Sequence, residues 1–132
     1  MSLDHFKSSK FHFELGRELA ALRRKGVLII GSGNIVHNLR MVAWNKLQED
    51  EYGYDWAQEA NENMKQFILN ENYDALINYH VQGTSFDLAI PTPEHYLPLL
   101  YILALKEKQE AISIFNDKLI GGSLSMASVK ID

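Results

Sequence analysis

An α/β fold, with a central mixed sheet flanked by helices, is predicted by three features of the sequence. Apolar residues recur at helical spacing from Ser9 to Lys25; Val27-Leu28-Ile29-Ile30 follows as an uninterrupted apolar run; and residues 111–131 carry strand-like patterns. A helix that feeds directly into a buried strand is the step from which layered α/β folds are built.

The elements follow in order. Phe13, Leu15, Leu19, Ala20 and Leu22 form the apolar face of the first helix, and Gly26 stands where a C-terminal cap belongs. Arg23-Arg24-Lys25 closes that helix, where cations face its negative end, and reads as a solvated turn rather than a phosphate site. Val27 to Ile30, bounded by glycines, has the pattern of a central strand covered on both faces. Gly31-Ser32-Gly33-Asn34 then makes a turn, and residues 35–40 start a short helix or an irregular segment. Residues 41–55, with Trp44, Tyr52 and Tyr54, show no period and read as a long covering loop.

Asp55 and Gln58 resemble a capping box at the head of a second helix, whose inner face is Trp56, Ala60, Met64 and Phe67. A short helical pattern follows with Tyr73, Leu76 and Ile77, and residues 83–91 read as a loop. Thr92 is placed as an N-cap, Pro93 as the first helical residue and Glu94 as an anion at the positive helix end. The run from Tyr96 to Leu105 is apolar nearly all round, so its helix is expected at the centre of the fold, bent in its first turns by Pro98. Residues 111–115 and 123–131 read as strands separated by a turn at Asn116-Asp117, with Gly121-Gly122 allowing a bulge or a close backbone approach.

Composition narrows the function classes. The chain has 132 residues, 46% of them hydrophobic, which suits one domain with a real core. Its 13 basic and 17 acidic residues argue against a nucleic-acid binder. The absence of cysteine removes disulfides, thiolate nucleophiles and cysteine-ligated metals, so any metal would be held by His, Asp or Glu. The start lacks the pattern of a signal peptide and the most apolar stretch is about half a bilayer span, so no membrane role and a cytoplasmic location are expected.

Two histidines stand at junctions between an apolar element and a Gly- or Pro-rich turn, where polar groups are held rigidly at the edge of a core: His37 and His95. His37 lies just past a strand's carboxyl end, the place where open α/β sheets bind ligands. A helix N-terminus beside His95 favours a neutral, metal-competent ring. They are 58 residues apart, so spacing alone leaves a structural and a chemical reading open for each. His5, His12 and His80 read as surface or structural residues. A dinucleotide fingerprint at Gly31-Ser32-Gly33 fails because Val36 replaces its third glycine, and a Gly-x-Ser-x-Gly elbow fails because Gly31 directly precedes Ser32.

Four segments carry a resemblance to a known family: residues 13–23, Gly31-Ser32-Gly33-Asn34-Ile35-Val36-His37-Asn38, Pro91-Thr92-Pro93-Glu94-His95-Tyr96-Leu97-Pro98, and Gly122-Ser123-Leu124-Ser125-Met126. They resemble the class III extradiol ring-cleavage dioxygenases, in the 4,5-DOPA dioxygenase-like branch. The resemblance implies an enzyme that inserts both atoms of O2 into a catechol at a mononuclear non-haem metal, Fe(II) or Zn(II). It implies that His37 is a metal ligand or the acid/base of the reaction and that His95 lies at the metal site as a ligand. Glu94 beside them is a lesser candidate, read as a capping or supporting residue or as a direct ligand. The partners it implies are a small catecholic substrate and O2.

Members of that family are about twice as long, and their amino-terminal half supplies two further histidine ligands. Residues 1–132 therefore resemble the carboxyl-terminal half of a larger dioxygenase domain, with Met1-Ser2-Leu3 reading as a start placed on an internal segment. Such a half is expected to be inactive alone and, with strand edges and apolar surface exposed, to associate with a second copy. The alternative is a non-catalytic binding or assembly domain that kept the fold and lost the metal; a third is a plain α/β domain with structural histidines.

Overall fold

The computed structural model describes residues 3, 4 and 6–132. Met1, Ser2 and His5 lie outside the described residues, and so do the readings of the opening tripeptide and of His5.

Helix α1 spans Ser9–Arg23, and the Ser8 side chain caps it by accepting from the Phe11 N–H. Gly26 takes φ +80, the left-handed turn that releases the chain from the helix. Arg23 is not a free surface cation. Its guanidinium donates to the Leu105 carbonyl at 2.7 Å and to Glu110 at 2.8 Å, and this contact pulls the Glu110 carboxyl down to about 2. Arg24 pairs with Glu107, so the end of α1 is tied to the chain that follows the central helix.

That central helix, α5, spans Leu97–Ala104 and buries Leu97, Leu100, Tyr101, Leu103 and Ala104, with α1 packed along it. His12 on α1 is fully buried against it. The Nδ1 of His12 lies 2.9 Å from the Tyr101 hydroxyl and its Nε2 lies 3.0 Å from the Asp4 carbonyl. A carbonyl only accepts, so Nε2 carries the proton and Nδ1 accepts from Tyr101. The structural reading of His12 holds.

Helix α2 spans Asp55–Leu69 and turns Ala57, Ala60, Met64 and Ile68 into the core. Of the expected inner face, Ala60 and Met64 are fully buried, while Trp56 and Phe67 pack against the core half-buried. Its capping differs from the expected box: Tyr54 occupies the cap position without a side-chain bond, and Gln58 donates instead to the Gly53 carbonyl at 2.7 Å. Helix α3 covers Tyr73–Ile77, and a further helix, α4, covers Thr84–Ala89 where a loop was expected. Phe86 and Ala89 of α4 are buried and pack it onto α2. The Thr92 side chain does not cap α5 either. It donates to Glu94 at 2.6 Å, and residues 93–96 form a turn before the helix begins at Leu97.

Two small sheets complete the α/β arrangement. Strand β1 (Ile112–Phe115) pairs antiparallel with β4 (Ser128–Ile131), Ile112 opposite Ile131. Strand β2 (Leu119–Ile120) pairs antiparallel with β3 (Leu124–Ser125). Isolated bridges join this second pair to His37, antiparallel through Leu124, and to Gly53, parallel through Gly122. Gly122 meets the expectation of a close approach, with φ +85 and the Tyr54 ring over the place a Cβ would fill.

The expected strand at residues 27–30 is corrected within this chain. The segment forms no ladder, and Leu28 and Ile30 are 82% and 80% exposed. A strand exists through its neighbours' hydrogen bonds. Among the described residues, the backbone groups of residues 28–32 find none.

Candidate active site

The site is built on residues 33–38, which are sewn to three other parts of the chain. Ile35 and Val36 point into the core and fix the segment's depth. The His37 N–H donates to the Ala89 carbonyl at the end of α4 at 2.8 Å. On the β3 side, Ser125 N–H donates to Val36 at 2.9 Å, Asn38 N–H to Ser123 at 3.1 Å, and the Ser123 hydroxyl to the Asn38 carbonyl at 2.8 Å. Asn38 also donates through its side chain to Leu88 at 2.8 Å, while its buried Oδ1 accepts from no group among the described residues.

The third tie joins the two histidines. Asn34 N–H donates to the His95 carbonyl at 2.8 Å, and the Asn34 side chain donates to the Ser125 carbonyl at 2.7 Å. Gly33 permits this approach: a Cβ on it would stand 2.1 Å from the His95 oxygen. With both turns clamped, the imidazoles of His37 and His95 stack face to face, ring centroids 3.7 Å apart and planes 18° from parallel. Sequence spacing was silent on this meeting; the fold brings the two together. His37 is half-buried and His95 is exposed.

Burial, and secondly the neighbouring His95, hold the His37 imidazole below the ordinary histidine range, so it favours the neutral form. Glu94 opposes this in part. Its own carboxyl is held down first by the Thr92 hydroxyl, then by backbone N–H donation and the two imidazoles. Glu94 also faces Tyr79, whose phenol is pushed up by burial and by that negative charge. His12 and His80 lie apart from this cluster, His12 in its buried bonds and His80 exposed.

Sequence reasoning missed the positioning residues Asn34, Asn38, Ser123 and Ser125. The signals for them were the matched runs at 31–38, which contains both asparagines, and at 122–126, whose local reading as strand gave no hint that its backbone and hydroxyls hold the His37 turn.

The donors present do not by themselves fit a metal ion. Imidazole lone pairs lie in the ring plane, so two nearly parallel rings aim theirs side by side rather than at one point ~2.0–2.1 Å from each nitrogen. Among the described residues, no three His, Asp or Glu side chains are grouped to hold one. What the arrangement supplies is a rigid pair of imidazoles, one exposed, with a carboxylate beside them.

No family model matches the chain. It is 46% identical over 99% of its length to a protein of Escherichia coli K12 named 4,5-DOPA dioxygenase extradiol, covering 48% of that protein. Proteins of the same name from Portulaca grandiflora and Beta vulgaris are 31% and 28% identical over 90% and 98% of the chain, which covers 43% and 47% of them. The crystal structure of an uncharacterized protein from Escherichia coli K12 superposes with a TM-score of 0.85 at 44% identity, matching 97% of this chain and 52% of that one. The chain thus spans about half the length of the relatives it matches.

Proposed function

Since the chain is related along nearly its whole length to the 4,5-DOPA dioxygenase extradiol proteins, and to about half of each, we propose that it carries part of the active site of an extradiol ring-cleavage dioxygenase. The reaction assigned is the opening of a small catechol, of which DOPA is the type named by the relatives, with both atoms of O2 entering the product. The observation that supports this reading is the His37–His95 stack, two residues far apart in sequence clamped at one edge of the core.

In this reading His37 is the proton carrier. An imidazole kept neutral near pH 7 accepts a phenolic proton at a ring nitrogen when the catechol binds, and returns it as the ring opens. His95, exposed beside it, would be a donor to a mononuclear Fe(II) or Zn(II) site once its ring turns out of the stack. His37 would be a second donor only in place of its proton-carrying role, because a neutral imidazole has one free lone pair. The remaining ligands come from polypeptide that this chain does not contain, because two histidines fall short of the three or more donors such metals require. Glu94 acts on the charge of the pair and orients the turn. A cytoplasmic setting belongs to the same proposal; among the described residues no helix is long and apolar enough to cross a membrane.

The test is reconstitution. The chain is co-expressed with the unmatched half of the Escherichia coli relative, loaded with Fe(II) without oxygen, and given a catechol and O2 while the yellow ring-opened product is followed. Turnover is expected, with His37→Ala lowering kcat by about 10²–10⁴-fold and His95→Ala lowering metal content. A folded complex with neither metal nor turnover would leave a binding or assembly domain as the correct reading.

A further inference from the structure

The sequence gives residues 27–31 the composition of a buried strand, yet the fold leaves them bare. Leu28 and Ile30 are 82% and 80% exposed and Val27 is 43% exposed, while the backbone groups of residues 28–32 have no partner among the described residues. Exposed apolar side chains next to unpaired N–H and C=O groups form an open strand edge, which folded proteins normally cover or blunt. Here no charge or proline blunts it: the sequence from Val27 to Gly31 is wholly uncharged.

The surroundings give that edge a shape. Residues 27–31 line one wall of a cleft, and Val129, Lys130 and Ile131 of β4 line the other. Successive side chains of a strand point to opposite faces, so three consecutive β4 residues on one wall mean that β4 meets the cleft edge-on. One edge of β4 is taken by β1, and β4 has no other strand beside it among the described residues. Ile102 of α5 forms part of the floor. The adjoining cleft continues past Gly31 and Gly33 to His95 itself.

We infer that the cleft between residues 27–31 and β4 is the seat of an extended segment from the half of the dioxygenase polypeptide that this chain does not match, and that seating it brings that half to the His37–His95 edge. The occupant is fixed by length: the relatives and the superposed structure each carry about as much chain again as is present here. Its chemistry is that of a strand, apolar on the side facing Ile30 and Ile102, with backbone groups completing those of residues 28–31. A second copy of this chain is the rival occupant. The inference rests on the half-matched kinship that also supports the proposed function, and it adds where the missing half attaches.

The experiment uses the chain co-expressed with the unmatched half of the Escherichia coli relative. Stoichiometry is read by light scattering, and backbone amide exchange is read at residues 28–31. A one-to-one complex is expected, with exchange at those amides slowed by about 100-fold or more relative to the chain alone. Ile30→Lys, at a site exposed in the free chain and so harmless to its folding, should weaken association by about tenfold or more. Leu69→Lys, exposed at the end of α2 and outside the cleft, should leave it unchanged. No complex, a complex in which residues 28–31 exchange freely, equal weakening by both variants, or a self-dimer that protects these amides and excludes the other half would each overturn the inference. A protected complex without turnover keeps the inference and defeats the proposed function. Turnover with freely exchanging amides does the reverse.

Discussion

Ile30 and Ile35 stand five residues apart on either side of one glycine turn, yet one is 80% exposed and the other 4%. Their side chains are identical, so the difference lies in what the rest of the chain provides. Around Ile35 the chain supplies everything: Ala89, Ser123, Ser125 and His95 all hold the turn through hydrogen bonds. Around Ile30 it supplies a floor and two unpaired edges. The lesson is that the histidine-bearing turn is held on every side within this chain, whereas the segment leading into it finds no backbone partner among the described residues.

The largest effect that sharpens this contrast comes from the same substitution on both sides. Ile35→Ala should cost the isolated chain about 2–5 kcal/mol in urea unfolding, the usual result of emptying a packed core site. Ile30→Ala should stay within about 0.5 kcal/mol. Equal costs would break the comparison, since they would mean that residues 27–31 are already packed.

Gly33→Ala comes next. Its new methyl would land on the His95 carbonyl, so the two turns must part, with a loss of about 1–3 kcal/mol and of the ring stack as seen in histidine ring shifts. Asn34→Ala removes the bond to the Ser125 carbonyl and should cost about 1 kcal/mol. Denaturant midpoints check both.

The smallest effect is on pH dependence. The His37 imidazole is held below its ordinary value of 6.5, chiefly by burial and then by His95. As pH falls below that value the unfolded chain takes up a proton that the fold refuses, so stability drops through the window between 6.5 and the lowered folded pKa. Above that window this contribution is fully present. His95→Ala removes the second cause, so the His37 titration followed by NMR should move upward and the pH slope should shrink.

Much of this was legible in the sequence, for reasons visible in particular residues. Helices α1 and α2 announce themselves through periodicity, α5 through an unbroken apolar run and β1 and β4 through their strand-like patterns. Yet the helix faces are offset from those the sequence suggests: α1 buries Phe13 with His12 and Gly16 and leaves Leu22 38% exposed, and α2 buries Ala57 and Ile68 beside Ala60 and Met64. Helix α4 did not announce itself: its six residues, Thr84–Ala89, are too few for a period to show, and only burial of Phe86 and Ala89 against α2 makes them helical. Thr92 looked like a cap because its residue type is right, but the helix does not start there: residues 93–96 turn first, α5 begins at Leu97, and the Thr92 hydroxyl donates to Glu94. Residues 27–30 have the composition of a strand, and what they lack is a partner, which no local pattern can supply. For the site, the surrounding motifs marked His37 and His95. Their stacking depends on one backbone bond from Asn34 and one missing Cβ at Gly33, neither of which leaves a periodic trace.

The central claim, that this chain holds half of a site completed from outside, is tested most directly by metal binding. Zn(II) is titrated calorimetrically into the chain alone, into its complex with the unmatched half of the Escherichia coli relative, and into the His95→Ala form of that complex. One tight site is expected in the complex, weakened by His95→Ala, with none in the chain alone. A tight one-to-one site at His37 and His95 in the chain alone, or no site in the folded complex, would contradict it.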